Sequence, residues 1–429
     1  MQKAKSSKRF GLVDCHCFYV SAERLFRPEL LGKPVVALSN NDGCAVSRSD
    51  EAKALGVKMG QPHFQLRNLI ERQGLICVSS NYALYQDLSN RVMHVLRREA
   101  PQIEPYSIDE AWMDLTGIPD RDLDAFGRHV QGVIYREVGI PVGVGISTTK
   151  TLAKLANWSS KKWKAKTGAV VDLCCPMKQE KLLRYADVSE VWGIGRRLTT
   201  QLNGIGISKA WDLSQFDTKT LRRQFNINVE RTSRELSGEY CMSLTEDVEP
   251  KQMIACTRSF SERVTDYQGL RTAISTFVAN ASRKLREQRQ YAACLQVFIR
   301  TSPFDTKGMQ YGKSISVPLP CPTYDTRDLL AAAVAGLQQI YLEGPKYAKA
   351  GVILSQFFDP GMFTDDLFAQ PTRKNTEALM SVLDRINMTH GRGSVRFASE
   401  PAVASWHMRQ QLLSPQYTTR WTDVMRVNA

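Results

Sequence analysis

No run of apolar residues in this 429-residue chain reaches the roughly 20 that a membrane-spanning helix needs. The first nine residues, Met1 to Arg9, are basic and polar and lack the apolar stretch of an export signal. Acid is scarce as well: 43 Asp and Glu stand against 57 Lys and Arg, a net charge of +14 that points to an anionic partner. Nucleic acid fits that balance first and an anionic membrane surface second. The ten cysteines have no export context or small-scaffold character, so reduced, mostly buried thiols in a cytoplasmic protein are expected. Cys15-His16-Cys17 has no second ligand pair at zinc-like spacing after it, and it reads as packing at a strand end.

What is present centres on Tyr106 to Leu115, which alternates like a strand and carries two adjacent carboxylates, Asp109 and Glu110. Glu110 shares the parity of Tyr106, Ile108 and Trp112, while Asp109 points to the face of Ser107 and Ala111. Neighbouring side chains on a strand converge on one point only where the strand ends or bends. Taken alone, the pair reads as a strand end with two solvated acids. A third isolated acid, Asp14, closes the apolar strand Phe10 to Cys15 and weakens that reading. Three carboxylates on two apolar strands make an oxygen cradle suited to a pair of Mg²⁺ ions and to in-line nucleotidyl transfer.

Elsewhere, apolar spacing predicts helices over Phe18–Phe26, Asp50–Leu55, Tyr85–Arg98 and Leu123–Glu137, with strands over Pro34–Ser39, Cys44–Ser47 and Pro141–Ile146. A helix over Lys150–Trp163 has an apolar stripe and a run of lysines, 150, 154, 161, 162, 164 and 166, without one acid, which suits a phosphate-rich ligand better than a solvated face. Val188 to Ile207 reads as a helix-hairpin-helix turning at Gly193-Ile194-Gly195, where glycines and the next helix's amides approach a backbone phosphate and Arg196 follows. From Met253 to Phe357 the order is the split β-α-β-β-α-β arrangement. Its strand at Ala292–Thr301 puts Leu295, Val297 and Ile299 on one face and Gln296, Phe298 and Arg300 on the other. Arg258, Arg263 and Lys313 nearby suggest a basic sheet face, against the plain alternative of a solvated one. After Asp359 the pattern thins: a loop with exposed-looking apolar residues around Phe363 and Phe368, a helix over Glu377–Ile386, and a docking tail over Tyr417–Arg426.

Asp14, the run Ser107-Ile108-Asp109-Glu110-Ala111, the Val-Gly repeat Val142 to Ser147 before a lysine helix, and Gly193-Ile194-Gly195 occur in an order that resembles the Y-family translesion DNA polymerases. Gly32–Val36, Ser39–Cys44, Glu51–Gly60 and Leu413–Arg420 are similar, more narrowly, to the UmuC group and its plasmid-borne relatives, so the likeness runs from Phe10 to the C-terminus. The resemblance implies an α+β right-hand polymerase: palm and fingers over 10–185, a helix-hairpin-helix thumb over 186–245, the split unit as little finger over 250–358, and an interaction tail over 359–429. The extension Met1–Arg9 is given no role. By the same resemblance Asp14, Asp109 and Glu110, with the backbone carbonyl of Cys15, hold two Mg²⁺ ions. Tyr19 is the steric gate against a ribose 2′-hydroxyl, and Phe18 beside it is also expected at the nucleotide, though it better fits the plain role of core packing. Lys53 and Lys161 reach the triphosphate. Asp50 stands where many relatives carry tyrosine, and an ionised acid cannot donate a hydrogen bond to phosphate. Gly193, Gly195, Arg196, Arg258 and Arg300 are the expected DNA contacts.

Asp365-Asp366-Leu367-Phe368 is similar to a sliding-clamp motif, although the usual leading glutamine is absent; Leu367 and Phe368 would be its anchors. The implied partners are primer–template DNA, dNTP, a UmuD′-like dimer, a RecA filament and the sliding clamp, in a nucleoid-associated bacterial protein with no membrane attachment. Low fidelity follows the same way, and no stretch is left over for a proofreading exonuclease. A palm-type cyclase would share the acids but not the hairpin or the basic tail domain. A non-catalytic DNA-binding scaffold would be expected to lack one of the three acids, and all three are present.

Overall fold

Strand β1 (Phe10–Cys15) is apolar except at Asp14, and all its other residues are buried. A left-handed Cys17 turns the chain into helix α1 (Phe18–Phe26). Strands β2 (Val35–Leu38) and β3 (Ala45–Arg48), helices α2 (Asp50–Ala54) and α3 (Arg67–Gln73), and strand β4 (Ile76–Ser79) follow, forming a three-stranded sheet in the order β3-β2-β4 with its own small core. Ser49 starts α2 by accepting the Ala52 N–H on its hydroxyl, and Asn81 starts α4 (Tyr82–Glu99) in the same way at Leu84. The structure is a computed structural model and describes residues 8–245, 250–305, 308–363, 373, 375–401 and 408–424.

Strands β5 (Ile103–Pro105) and β6 (Glu110–Asp114), helix α5 (Leu123–Val138), strand β7 (Val142–Ser147), helices α6 (Lys150–Lys162) and α7 (Lys164–Thr167), and strand β8 (Val170–Asp172) complete a five-stranded sheet ordered β5-β6-β1-β7-β8. Its Val13 and Met113 face packs on α4 and α5, and its Leu12 and Trp112 face packs on α6. Helix α6 lies almost in contact with β7: a Cβ on Gly145 would sit 2.2 Å from the Asn157 backbone nitrogen. Only glycine permits that approach, and it brings the lysines of α6 within reach of the acids on β1 and β6.

The alternation from Tyr106 suggests a longer strand than the structure has, and the strand ends at the acids, as their convergence requires. Tyr106 to Asp109 form a tight turn, in which the Tyr106 and Ser107 N–H groups both donate to the Glu110 carbonyl, and the strand begins at Glu110. The Ser107 hydroxyl accepts the Glu110 N–H at 3.1 Å, so local side-chain bonding outweighs the alternating pattern.

Helices α8 (Pro176–Tyr185), α9 (Arg196–Gly204), α10 (Ala210–Gln215), α11 (Thr218–Gln224) and α12 (Ile227–Leu236) share one core with Leu152, Leu155 and Ala156 of α6. The buried Glu235 carboxylate accepts the Thr151 N–H and hydroxyl at 2.9 and 2.7 Å, which ties α12 to the first turn of α6. Residues Met1–Ser39, Gly43–Val248 and Gln411–Ala429 make one unit, and Asn40–Asp42 with Glu249–Gln410 make a second.

The second unit contains β9 (Met253–Val264), α13 (Tyr267–Glu287), β10 (Tyr291–Thr301), β11 (Gly312–Thr323), α14 (Thr326–Ile340), β12 (Tyr347–Phe358) and α15 (Thr376–Thr389). Its antiparallel sheet is ordered β11-β10-β12-β9, with Leu295, Val297 and Ile299 buried beneath α13 and α14. The expectation that Arg258 and Lys313 join Arg300 on one basic face is corrected by the register. Arg258 pairs with buried Ala350 and Lys313 with buried Ile299, so both share the helix-side parity. Arg300 instead pairs with Lys349, on the face of Phe298. One residue of register decides the face. Among the described residues no helix is long and apolar enough to cross a membrane.

Candidate active site

Asp14 and Glu110 are direct partners across β1 and β6, and both meet the same stripe of α6. Lys161 Nζ lies 2.5 Å from Asp14, and Lys154 Nζ lies 3.0 Å from Glu110. Lys150, deeper still, is buried 2.6 Å from Glu104. These three lysines are separated by whole helical turns, so they share a face. The reading of the lysine run as free for a phosphate ligand is therefore corrected at Lys150 and Lys154. No acid lies near them in sequence, yet the sheet supplies acids from the opposite side.

Asp109 comes from the turn ahead of β6. Its carbonyl accepts the Cys15 N–H at 2.8 Å, and its carboxylate accepts the Ser107 hydroxyl at 2.6 Å. Burial pushes the Asp14 carboxyl above its ordinary range; Lys161 opposes this, while Asp109 and Glu110 push it further up. Half-buried acids that repel one another and offer only oxygen fit a hard divalent cation.

A cleft of about 690 Å³ opens beside Asp14, Cys15 and Asp109, with Tyr19, Lys53 and Lys161 on its walls. Phe18, also expected at the nucleotide, is only 3% exposed and packs in the core at the edge of this cleft. Tyr19 is half-buried, stacked on Tyr85 with ring centroids 4.3 Å apart and edge-on to Tyr82 at 6.2 Å.

Asp50, the departure from the family pattern, accepts from Lys53 at 2.8 Å and bonds His16 Nε2 at 2.8 Å. Burial would raise its carboxyl, but the bonds from Lys53 and His16 hold it far below the usual range, so it is ionised. Among the described residues, the His, Cys and acid ligand atoms that close to within 4.8 Å of one another are those of His16, Cys17 and Asp50. Lys53 Nζ, 3.2 Å from Cys17 Sγ, puts its positive charge there, and burial pushes the Cys17 thiol up. The cluster is an ion-pair network. Packing at the strand end describes Cys15, but His16 and Cys17 belong to this network, which sequence reading missed because Asp50 lies on a different element.

The chain matches the impB/mucB/samB family over residues 13–158, that family's C-terminal domain over 251–367, and a domain of unknown function over 377–427. It is 47% identical to protein UmuC of Salmonella typhimurium across 97% of this chain and 100% of that one. The chain belongs to the impB/mucB/samB family.

It is also 42% identical to protein MucB of Escherichia coli over 97% of this chain and 98% of that one, and 27% identical to DNA polymerase IV of Oceanobacillus iheyensis over 91% and 92%. A Y-family DNA polymerase chimera of Dbh and Dpo4 has the same fold, with a TM-score of 0.66 at 21% identity, covering 82% of this chain and 99% of that one. In this family member Gly193 is left-handed (φ 86°), Gly195 caps α9, and Arg196 is exposed at that helix start. Arg300 and Lys349 lie side by side on the open sheet face, and burial with the Arg300 charge lowers the Lys349 pKa. Leu367 and Phe368 lie outside the described residues. Of the docking tail expected over Tyr417–Arg426, Tyr417 stacks on Phe26 against the core, Leu412 is bonded as well, Trp421 is 94% exposed, and residues 425–426 lie outside the described residues.

Proposed function

We propose that this chain is a template-directed DNA polymerase of the translesion type, adding deoxynucleotides to a primer 3′-hydroxyl. The observation that carries this reading is the in-register pair Asp14 and Glu110, with Asp109 beside it, next to a cleft walled by Tyr19, Lys53 and Lys161. Asp14, Asp109, Glu110 and the Cys15 carbonyl would hold two Mg²⁺ ions, whose chemistry is Lewis-acid stabilisation of the attacking and leaving oxygens. Lys161, released from Asp14, binds the triphosphate, and Lys53 does the same from the other wall. Ionised Asp50 keeps Lys53 aimed into the cleft and takes no phosphate itself. The Tyr19 ring lies under the sugar and excludes a 2′-hydroxyl.

Gly193, Gly195 and Arg196 hold backbone phosphates of primer–template DNA, and Arg300 with Lys349 tracks them on the open sheet face. Arg258, on the helix side, has a lesser part. Low-fidelity synthesis in an SOS-type response, with a UmuD′-like dimer, a RecA filament and the sliding clamp as partners, fits membership of this family. The test is primer extension with dNTPs and Mg²⁺ by wild type and Asp109→Ala, each with and without UmuD′ and activated RecA filament. Extension by wild type alone is expected. Intact DNA binding with no extension in any mixture would favour a non-catalytic scaffold.

A further inference from the structure

Leu412 to Tyr417, inside the domain of unknown function, is fastened to the first unit by side chains. The Ser79 N–H donates to the Leu412 carbonyl, and the Leu412 N–H donates to the Ser79 hydroxyl, both at 3.0 Å. Asn81 Nδ2 lies within 3.0–3.1 Å of the Ser414 carbonyl, the Ser414 hydroxyl and the Pro415 carbonyl. The Tyr417 ring stacks on Phe26, centroids 4.7 Å apart. Asn81 is also the residue that caps α4, so one side chain anchors both this segment and the helix start that carries Tyr82 and Tyr85.

Beneath these contacts lies Glu23, fully buried on α1. Its Oε1 accepts from the Ser414 hydroxyl at 2.9 Å and from the Tyr85 hydroxyl at 2.8 Å, while its Oε2 has no partner among the described residues. A buried carboxyl held only by hydroxyls is costly and leaves no slack: each bond it makes matters. Those bonds fix the Tyr85 phenol at its far end, and the Tyr85 ring is the surface on which Tyr19 stacks at an interplanar angle of 15°.

We propose that the Leu412–Tyr417 segment is a structural support of the sugar-selecting wall of the nucleotide cleft, and that Ser414, Glu23 and Tyr85 are positioning residues acting on Tyr19. This rests on the reading of Tyr19 given above. The segment touches neither the three acids nor the lysines, so it acts on which sugar is accepted and leaves the chemical step alone.

The test measures deoxyribonucleotide and ribonucleotide incorporation by the full chain, in the reconstituted mixture that supports extension, for wild type, Ser414→Ala, Ser414→Thr, Tyr85→Phe and Tyr19→Ala. Ser414→Ala and Tyr85→Phe are expected to lower discrimination against ribonucleotides by about five-fold, the effect of one buried hydrogen bond. The change falls on the ribonucleotide KM, with kcat for deoxynucleotides within about two-fold. Ser414→Thr, which keeps the hydroxyl, restores discrimination. Wild-type discrimination in both Ser414→Ala and Tyr85→Phe, alongside its loss in Tyr19→Ala, overturns the support and leaves the gate standing. Unchanged discrimination in Tyr19→Ala overturns both. Amide exchange over Tyr82–Leu88 reads the link without catalysis: faster exchange in Ser414→Ala is expected, and unchanged exchange refutes it.

Discussion

The two larger sheets place their charges in opposite settings. In the β5-β6-β1-β7-β8 sheet, Asp14 and Glu110 sit on a face covered by α6, each against a lysine of that helix. In the β11-β10-β12-β9 sheet, Arg300 and Lys349 sit on the uncovered face, like charges side by side with helices only behind them. Partial burial strengthens charge interactions and raises the cost of leaving them unmatched, which suits chemistry at one atom. An open face weakens each contact and tolerates many geometries, which suits following a phosphate backbone.

The comparison breaks most visibly at Asp109. Asp109→Ala should lower nucleotide incorporation by about a thousand-fold or more. Its DNA affinity should stay within about two-fold, as read by fluorescence anisotropy, because the proposed phosphate contacts lie elsewhere. A large loss of affinity would mean that the covered face also carries the DNA. Next comes Lys161→Ala, expected to reduce kcat/KM for dNTP by about 10- to 100-fold, the size of a lost charge-assisted bond. Lys161 holds the Asp14 carboxyl down against burial. Without it the Asp14 pKa of the free protein rises further, so the acid limb of the pH profile of kcat/KM for dNTP should move to higher pH.

Smaller effects belong to the open face. Arg300→Ala should weaken binding alike on all DNA sequences and reduce the salt slope of log Kd by about 1. Arg258→Ala, on the helix-side parity, should change that slope less; an equal change would erase the distinction between the two faces. The smallest effect concerns a covered acid without a lysine. Burial raises the Glu23 carboxyl above its ordinary 4.5, against the bonds from Tyr85 and Ser414. A raised folded-state value means its contribution to stability is present below 4.5 and lost as pH rises through the folded value. Glu23→Gln should remove that part of the decline in Tm between acid and neutral pH. An identical pH dependence of Tm in wild type and variant would show that Glu23 does not titrate over that range.

Much of this was legible along the chain. The order of elements, the split β-α-β-β-α-β unit, the inward Leu295, Val297 and Ile299, and the three acids follow from periodicity and isolated charges. The reading faltered where a partner comes from elsewhere. Alternation around Asp109 implied a strand, but Ser107 bonds the local backbone and makes a turn. The lysine run had no acid within it and still met Glu104, Glu110 and Asp14 across the sheet. Arg258 was near Arg300 in space but on the wrong parity.

By itself, then, the sequence determined which residues are apolar at which period, and that is enough to set the elements and the isolated acids at strand ends. Tertiary structure alone decided which charges meet. Gly143 and Gly145 let α6 settle on β7, and only that close approach brings Lys154 and Lys161 onto Glu110 and Asp14. The return of Ser414 to Glu23 was likewise invisible, because nothing local in either segment encodes a contact 391 residues apart. Pattern along a chain reports burial; pairing between distant groups depends on register and on how closely backbones can pack.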